Sequence, residues 1–212
     1  MVDLAETITS ILTLLGTASF MIVMALVWSH LGFFKASKTK NANTLAKVAI
    51  GIVLGLLAIF GTLMGTKLAD GTIINVRELA AMIAGLAGGP ISGVIAGLMG
   101  GLHRYTLDGA TGLPCTISTI LIGLVAGLIS TKITGRLYLL KGAVLGFVLE
   151  SAAMGLILVL VPFSQAVGIV EKIAAPMIAA NTIGLVLWLY LANKWKQQAE
   201  PLKTSAQTNP SS

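Results

Sequence analysis

The sequence predicts an all-α membrane protein, a polytopic helix bundle with five to six hydrophobic segments. Its 212 residues are 56% hydrophobic and only 10% charged, whereas a soluble domain is about 25% charged. Several apolar runs reach the roughly 20 residues that a helix needs to cross a bilayer. Most basic residues lie in the connections between these runs, without an aromatic–basic surface. The net charge of +6 therefore indicates a lipid bilayer as partner, and no nucleic acid.

The apolar segments divide the chain into three regions. The segments are 8–34, 45–66, 78–101, 113–130, 138–162 and 173–192. Residues 1–40 are predicted to form an N-terminal transmembrane helix with a basic loop, and 41–192 the main membrane domain. Residues 193–212 are polar and rich in Ser, Thr, Gln and Pro, which predicts a short disordered cytoplasmic tail.

The 14 Lys and Arg residues predict the orientation, because cytoplasmic loops carry an excess of positive charge. If all six segments cross the membrane, the basic residues divide almost evenly between the two sides. If segment 78–101 enters and leaves by the same face, 10 lie inside and 4 outside. We therefore predict five true spans, with the N-terminus outside and the C-terminus inside. The alternative is an ordinary kinked span over 78–101.

Segment 78–101 is predicted to be broken at Gly88-Gly89-Pro90. A continuous helix over its 24 residues would be about 36 Å long and would put Arg77 and Arg104 on opposite faces. A break lets two half-helices fold back, so that both arginines lie at one face. Glycines four residues apart allow helices to pack closely in lipid, and this segment has them at positions 85, 89, 93, 97 and 101.

The polar chemistry is concentrated in residues 75–118, which predicts a site for a small carboxylate. Arg77 and Arg104 can bind a carboxylate through paired hydrogen bonds, and Cys115 and Ser118 can contact a neighbouring oxygen. Pro114 predicts a helix start that leaves amides near Cys115 free to bind an anion. The ligand-binding candidates are thus Arg77, Arg104, Cys115 and Ser118, with Asn75, Thr116 and Glu150 as supporting residues.

An alternative for the arginines requires no ligand. Arg77 would pair with Glu78 or Asp70, and Arg104 with Asp108, as side chains that reach the membrane interface. Glu150 is the only acid inside a predicted span. Its carboxyl group could balance an arginine, carry a proton, or stay protonated against a neighbouring backbone. Asn181 is interpreted as a hydrogen-bonding link between helices.

A series of short motifs carries a family resemblance. The order is N-x-R at Asn75–Arg77, G-G-P-x-x-G at Gly88–Gly93, G-x-x-x-G-x-x-R at Gly97–Arg104, P-C-x-x-S at Pro114–Ser118 and G-x-x-x-G at Gly123–Gly127. It resembles the five-transmembrane sensor region (5TMR-LYT) of LytS/YhcK-type bacterial histidine kinases. The motifs match over 70–130, and the layout agrees over about 40–192.

The resemblance implies a signal-receiving, multi-pass domain in a bacterial plasma membrane. Members of that family control murein hydrolases and cell-wall turnover, and sense small extracellular carboxylates such as pyruvate. Arg77, Arg104, Cys115 and Ser118 match positions implicated in pyruvate recognition. The printed residues contain no phosphoacceptor-histidine helix and no glycine-rich ATP-binding region. We therefore expect no enzyme activity, and signalling through a separate kinase or other output protein.

Other interpretations remain. The stretch "AGLAGGPISGVIAGLMGGL" also resembles the substrate-binding subunit (S-component) of energy-coupling-factor transporters, and broken helices are common in transporters. A structural protein without a ligand and a homodimer joined through the glycines are further alternatives. No nucleophile–base pair and no metal-ligand spacing occurs in the sequence, so we expect neither a metal nor a cofactor.

Overall fold

The computed structural model describes residues 4–29, 44–68 and 71–207. These residues form seven α-helices, a short 3₁₀ turn at Ser130–Lys132 and a two-stranded antiparallel ribbon. The helices are α1 (Leu4–Ser29), α2 (Thr44–Leu63), α3 (Arg77–Gly88), α4 (Pro90–Tyr105), α5 (Gly112–Ile129), α6 (Tyr138–Leu160) and α7 (Phe163–Gln207). The ribbon pairs β1 (Thr66–Lys67) with β2 (Ile73–Ile74) just before α3.

Five helices are long and apolar enough to cross a membrane. The candidate spans are Thr7–Trp28, Thr44–Leu63, Gly112–Lys132, Tyr138–Leu160 and Phe163–Trp195. Large apolar side chains such as Leu12, Leu56 and Val159 are exposed on these helices. In a bilayer such side chains face hydrocarbon, since lipid tails are as apolar as leucine. The predicted polytopic helix bundle is confirmed.

The segment after β2 is broken at the predicted position. α3 ends at Gly88, and Gly89 adopts φ 83° and ψ −172°, a conformation that is essentially restricted to glycine. Pro90 then begins α4. The N–H of the first helical residue has no partner within the helix, so proline costs no hydrogen bond there. α4 folds back along α3, because Gly93 lies against Gly85 near the turn and Gly100 lies against the Arg77 side chain at the far end.

The glycine spacing serves close packing of α4 against α5. A Cβ atom placed on Gly97 would lie 2.7 Å from the Cα of Ile120, and one on Gly101 would lie 2.9 Å from the carbonyl oxygen of Thr116. Gly93 faces Gly123 even more closely, backbone against backbone. These contacts are made within one chain, so the glycines of α4 are explained without a second copy.

The last helix differs from the prediction at both ends. The predicted segment 173–192 lies inside α7, which starts at Phe163 and continues to Gln207. The disordered tail predicted for 193–212 is therefore wrong over 193–207. Lys, Gln, Ala and Glu favour helix there, and extending an existing helix avoids the unfavourable nucleation step. Residues 208–212, the basic loop within 30–43 and Asp70 lie outside the described residues.

Candidate functional site

Arg77 is the first residue of α3, and Asn75 holds the turn that precedes it. The Asn75 side-chain oxygen accepts a hydrogen bond from the Arg77 backbone amide at 3.0 Å. Its side-chain nitrogen donates to the Ile73 carbonyl at 2.9 Å. Asn75 is fully buried. This predicted supporting residue thus fixes the backbone at the start of α3, and its hydrogen bonds go to the backbone.

The Arg77 guanidinium lies in the core and is paired internally. Its Nη2 forms an ion pair with the Glu78 carboxylate, and its Nε donates to the Thr119 hydroxyl at 2.8 Å. Arg77 is 0% exposed and Glu78 is 1% exposed. The pairing with Glu78 that the sequence suggested is present, but it is buried inside the protein. Among the described residues, Arg77 Nη1 and Glu78 Oε2 have no hydrogen-bond partner.

Arg104 is a second buried guanidinium, near the end of α4. Its Nη1 donates to the Asp108 carbonyl oxygen at 2.6 Å, and its Nη2 to the Thr111 hydroxyl at 2.9 Å. The predicted ion pair with the Asp108 carboxylate is wrong, because the left-handed backbone at Asp108 (φ 54°) turns its carbonyl toward the guanidinium. Within residues 4–29, 44–68 and 71–207, Arg104 has only neutral hydrogen-bond partners, and its Nε has none.

Cys115 belongs to the same buried region as the two arginines. The thiol is buried and within electrostatic range of Arg77 and Arg104. The expected free amides are wrong at this residue, because α5 begins at Gly112 and the Cys115 amide donates to the Thr111 carbonyl at 3.0 Å. Pro114 is the third residue of α5, so the helix starts earlier than Pro114 suggested.

The hydroxyl groups near Cys115 form hydrogen bonds within the protein. Ser118 donates to the Cys115 carbonyl at 3.0 Å, within its own helix. Thr116 donates to carbonyls of Gly101 and Gly112, both at 2.8 Å, and so links α5 to α4. Thr119 contacts Arg77 and was missed by the sequence analysis. The signal was available, because a residue four positions after Cys115 lies on the same face of the helix.

α6 and α7 each add a polar side chain to the buried cluster. Glu150 is 0% exposed, its two carboxylate oxygens have no hydrogen-bond partner, and it lies within electrostatic range of Glu78 and Arg77. The Asn181 side-chain oxygen accepts a hydrogen bond from the Leu79 amide at 3.1 Å. This bond confirms Asn181 as a link between helices. It ties α7 to the first turn of α3.

The cluster is closed in this structure. Arg77 and Arg104 are both 0% exposed. An anion that reaches the guanidinium groups must therefore displace side chains. Two unpaired donors, Arg77 Nη1 and Arg104 Nε, remain within the buried region. In the part of the chain that the structure describes, no group of three or more His, Cys, Asp or Glu side chains is placed to hold a metal.

The fold is a membrane helix bundle that buries several charged side chains beside a broken helix, and charged groups within a membrane domain are costly and usually mark a functional region. The family model described as "5TMR of 5TMR-LYT" matches residues 31–195. The chain belongs to the 5TMR-LYT family.

Curated relatives are named as sensors. The chain is 36% identical over 187 residues to sensor histidine kinase BtsS of Escherichia coli K12, covering 84% of the chain and 33% of the relative. It is 30% identical to sensor histidine kinase YpdA of Escherichia coli K12, covering 92% and 35%. For sensor protein LytS of Bacillus anthracis the identity is 28%, covering 91% and 36%. The chain thus spans about a third of these relatives' length. No solved structure matches.

These matches define the chain as the membrane sensor region of LytS-type histidine kinases. The region is multi-pass and receives a signal in the plasma membrane. The matched third is this membrane region and not the kinase region of those proteins. None of the three relatives is named as a transporter, so the transport alternative gains no support from them.

Proposed function

We propose that the chain binds a small extracellular carboxylate, pyruvate or a close analogue, between Arg77 and Arg104. The observation that carries the proposal is the buried charge of Arg104, which has no acidic hydrogen-bond partner among the described residues. A buried cation whose hydrogen bonds go only to neutral groups is poorly compensated for the loss of water. A ligand carboxylate would supply a charged hydrogen-bond acceptor.

The available donors suit this ligand. A carboxylate accepts two hydrogen bonds from a guanidinium fork, and Arg77 Nη1 and Arg104 Nε are both unpaired. The Cys115 thiol lies within electrostatic range of both arginines, and in this proposal it contacts the keto oxygen of the ligand. Ser118 joins them only if its hydroxyl leaves the Cys115 carbonyl. The ligand carboxylate competes with Glu78 for Arg77, and this competition is the event that changes the structure.

The change would reach α7 through one hydrogen bond. Glu78 precedes Leu79, whose amide is held by Asn181 on α7. When the ligand displaces Glu78 from Arg77, the first turn of α3 shifts and α7 shifts with it. The coupling is limited to the difference in the ligand's affinity for the two states. α7 would then act on a separate kinase or another output protein, with control of murein hydrolases as the cellular result.

Arg104→Gln should weaken pyruvate binding by at least about tenfold, because it removes a charged hydrogen-bond donor worth roughly 1.5–3 kcal/mol per bond. The measurement is isothermal titration calorimetry of the purified protein with pyruvate, compared with acetate and lactate. Lys194→Gln is the control. It removes an exposed positive charge on α7, 13 residues beyond Asn181. Equal pyruvate affinity in Arg104→Gln and wild type, or the absence of binding in both, would refute the site.

The proposal needs the two arginines to be near the outer face, with the N-terminus outside and the C-terminus inside. Lys67 and Arg136 are exposed, beside α3 and in the α5–α6 connection respectively. In intact cells, a membrane-impermeant maleimide should label Lys67→Cys and leave Arg136→Cys unlabelled until the cells are opened. Cys115 is buried and gives little background. The reverse pattern of labelling would show that the orientation is inverted.

A further inference from the structure

Two adjoining cavities lie at the opposite end of α5 from the arginines. The turn between α3 and α4 packs against Gly127, near the end of α5, whereas Arg77 bonds to Thr119, earlier on the same helix. The polar cavity has a volume of about 300 Å³ and lies between the α5–α6 connection and α7. The apolar groove has about 280 Å³ and lies between α5 and α6. Ile133 lines both.

The polar cavity offers hydrogen-bonding groups and no acid. Its polar lining residues are Ser130, Thr134, Tyr138 and Asn193. The Asn193 side-chain nitrogen donates to the Tyr138 hydroxyl at 3.3 Å, which joins α7 to the start of α6. Trp188 supplies an aromatic wall. Tyrosine and tryptophan side chains of this kind are enriched where hydrocarbon meets lipid headgroups. The cavity therefore suits a polar or anionic group at the membrane interface.

The apolar groove ends at a positive charge. Its lining is aliphatic apart from Lys141. The Lys141 ammonium donates to the carbonyls of Lys132 and Thr134, at 3.1 and 3.0 Å, so it is held beside the connection that lines the polar cavity. Lys132 and Arg136 are exposed in that connection, and the sequence has no acidic residue from 130 to 149. The three basic side chains thus make this rim electropositive.

The groove is open toward the lipid. Val144 and Val148 line it and are 54% and 53% exposed. A groove that is apolar along its length, reachable from the bilayer and positive at one end is complementary to a molecule with a hydrocarbon chain and an anionic head. Basic residues at a membrane surface attract anionic lipids by about 1 kcal/mol each.

We propose that the chain binds one anionic phospholipid, with an acyl chain in the apolar groove and its phosphate headgroup between Lys141 and the polar cavity. The phospholipid joins the end of α5, the start of α6 and α7. The site is separate from Arg77 and Arg104 and does not depend on the carboxylate proposal.

The test is native mass spectrometry of the delipidated full chain, titrated with phosphatidylglycerol or phosphatidylcholine carrying the same acyl chains. Wild type should bind one phosphatidylglycerol at least about tenfold more tightly than phosphatidylcholine. Lys141→Gln should weaken phosphatidylglycerol binding about fivefold. Lys67→Gln removes one exposed charge in β1, at the end of the bundle where α3 begins. This variant should leave phosphatidylglycerol binding unchanged. Equal affinity for the two lipids would overturn the proposal.

A second pair of variants tests the groove without changing the charge. Val148→Trp should fill the groove and weaken phosphatidylglycerol binding at least about tenfold. Val159→Trp places the same side chain on the same helix at a residue that is 78% exposed and outside the groove, and should bind like wild type. Thermal unfolding confirms that both variants are folded. Equal binding by the two variants, or full competition by soluble glycerol phosphate, would contradict a phospholipid site.

Discussion

Glu78→Gln should lower the free energy of unfolding by about 3 kcal/mol or more. The substitution keeps the shape of the side chain but leaves the Arg77 guanidinium as a buried charge without its ion-pair partner. Removing one partner of a buried pair typically costs about 3–5 kcal/mol. The measurement is equilibrium unfolding in mixed micelles with increasing dodecyl sulfate. The second buried carboxylate, Glu150, lies within electrostatic range of Arg77 and remains to balance part of its charge.

The ligand proposal adds a second expectation for the same variant. With Glu78 neutral, a carboxylate no longer competes with a charged side chain for Arg77. Pyruvate should therefore bind more tightly to Glu78→Gln than to wild type and restore part of the lost stability. The control is Glu171→Gln, an exposed acid on α7, which should change stability by less than about 0.5 kcal/mol. Equal stability of the two variants would show that the Arg77–Glu78 pair does not support the fold.

Gly93→Ala should destabilise the protein by about 3 kcal/mol. A Cβ atom at this position would overlap the Gly123 carbonyl on α5 and lie 3.0 Å from the Gly85 Cα on α3. These neighbours are backbone atoms, which cannot turn aside as a side chain can. The helices must move apart, and overpacking of this kind costs about 1–3 kcal/mol or more. Because α3 and α4 carry the arginines, carboxylate binding should fall as well.

Gly155→Ala is the matched control for Gly93→Ala. Gly155 lies inside α6, and a Cβ atom there would meet nothing within 4 Å. Alanine favours helix over glycine by about 1 kcal/mol, so this variant should be as stable as wild type or slightly more stable. Equal stability of Gly93→Ala and Gly155→Ala in the same unfolding titration would show that the close contact between α4 and α5 is not required.

The break in segment 78–101 could be predicted because its cause is local. Glycine followed by proline restricts the backbone whatever surrounds it, and the return of the chain then places Arg77 and Arg104 at one end. The spacing of the glycines is likewise visible in the sequence. Which helix each glycine meets is not visible, since that depends on the arrangement of α2 and α5 around the hairpin.

The hydrogen-bond partners in the cluster could not be predicted in the same way. Glu78 follows Arg77 directly and was considered only as a partner at the interface. Its burial results from packing against helices distant in sequence, such as the bond from Leu79 to Asn181. Thr119 likewise depends on tertiary packing. Its spacing from Cys115 puts the two residues on the same face of α5, but only the tertiary structure brings Thr119 to Arg77.

The length of α7 determines how far a movement at the Leu79–Asn181 hydrogen bond displaces the end of the helix. α7 is a continuous helix of 45 residues, and the part beyond Asn181 is roughly 39 Å long at about 1.5 Å per residue. When a straight helix tilts about a point inside the bundle, the sideways displacement of its end is proportional to this length. A tilt of only about five degrees at Asn181 would carry the end at Gln207 sideways by about 3 Å. A displacement at Leu79 that is too small to rearrange the bundle would thus move the far end of α7 by about 3 Å.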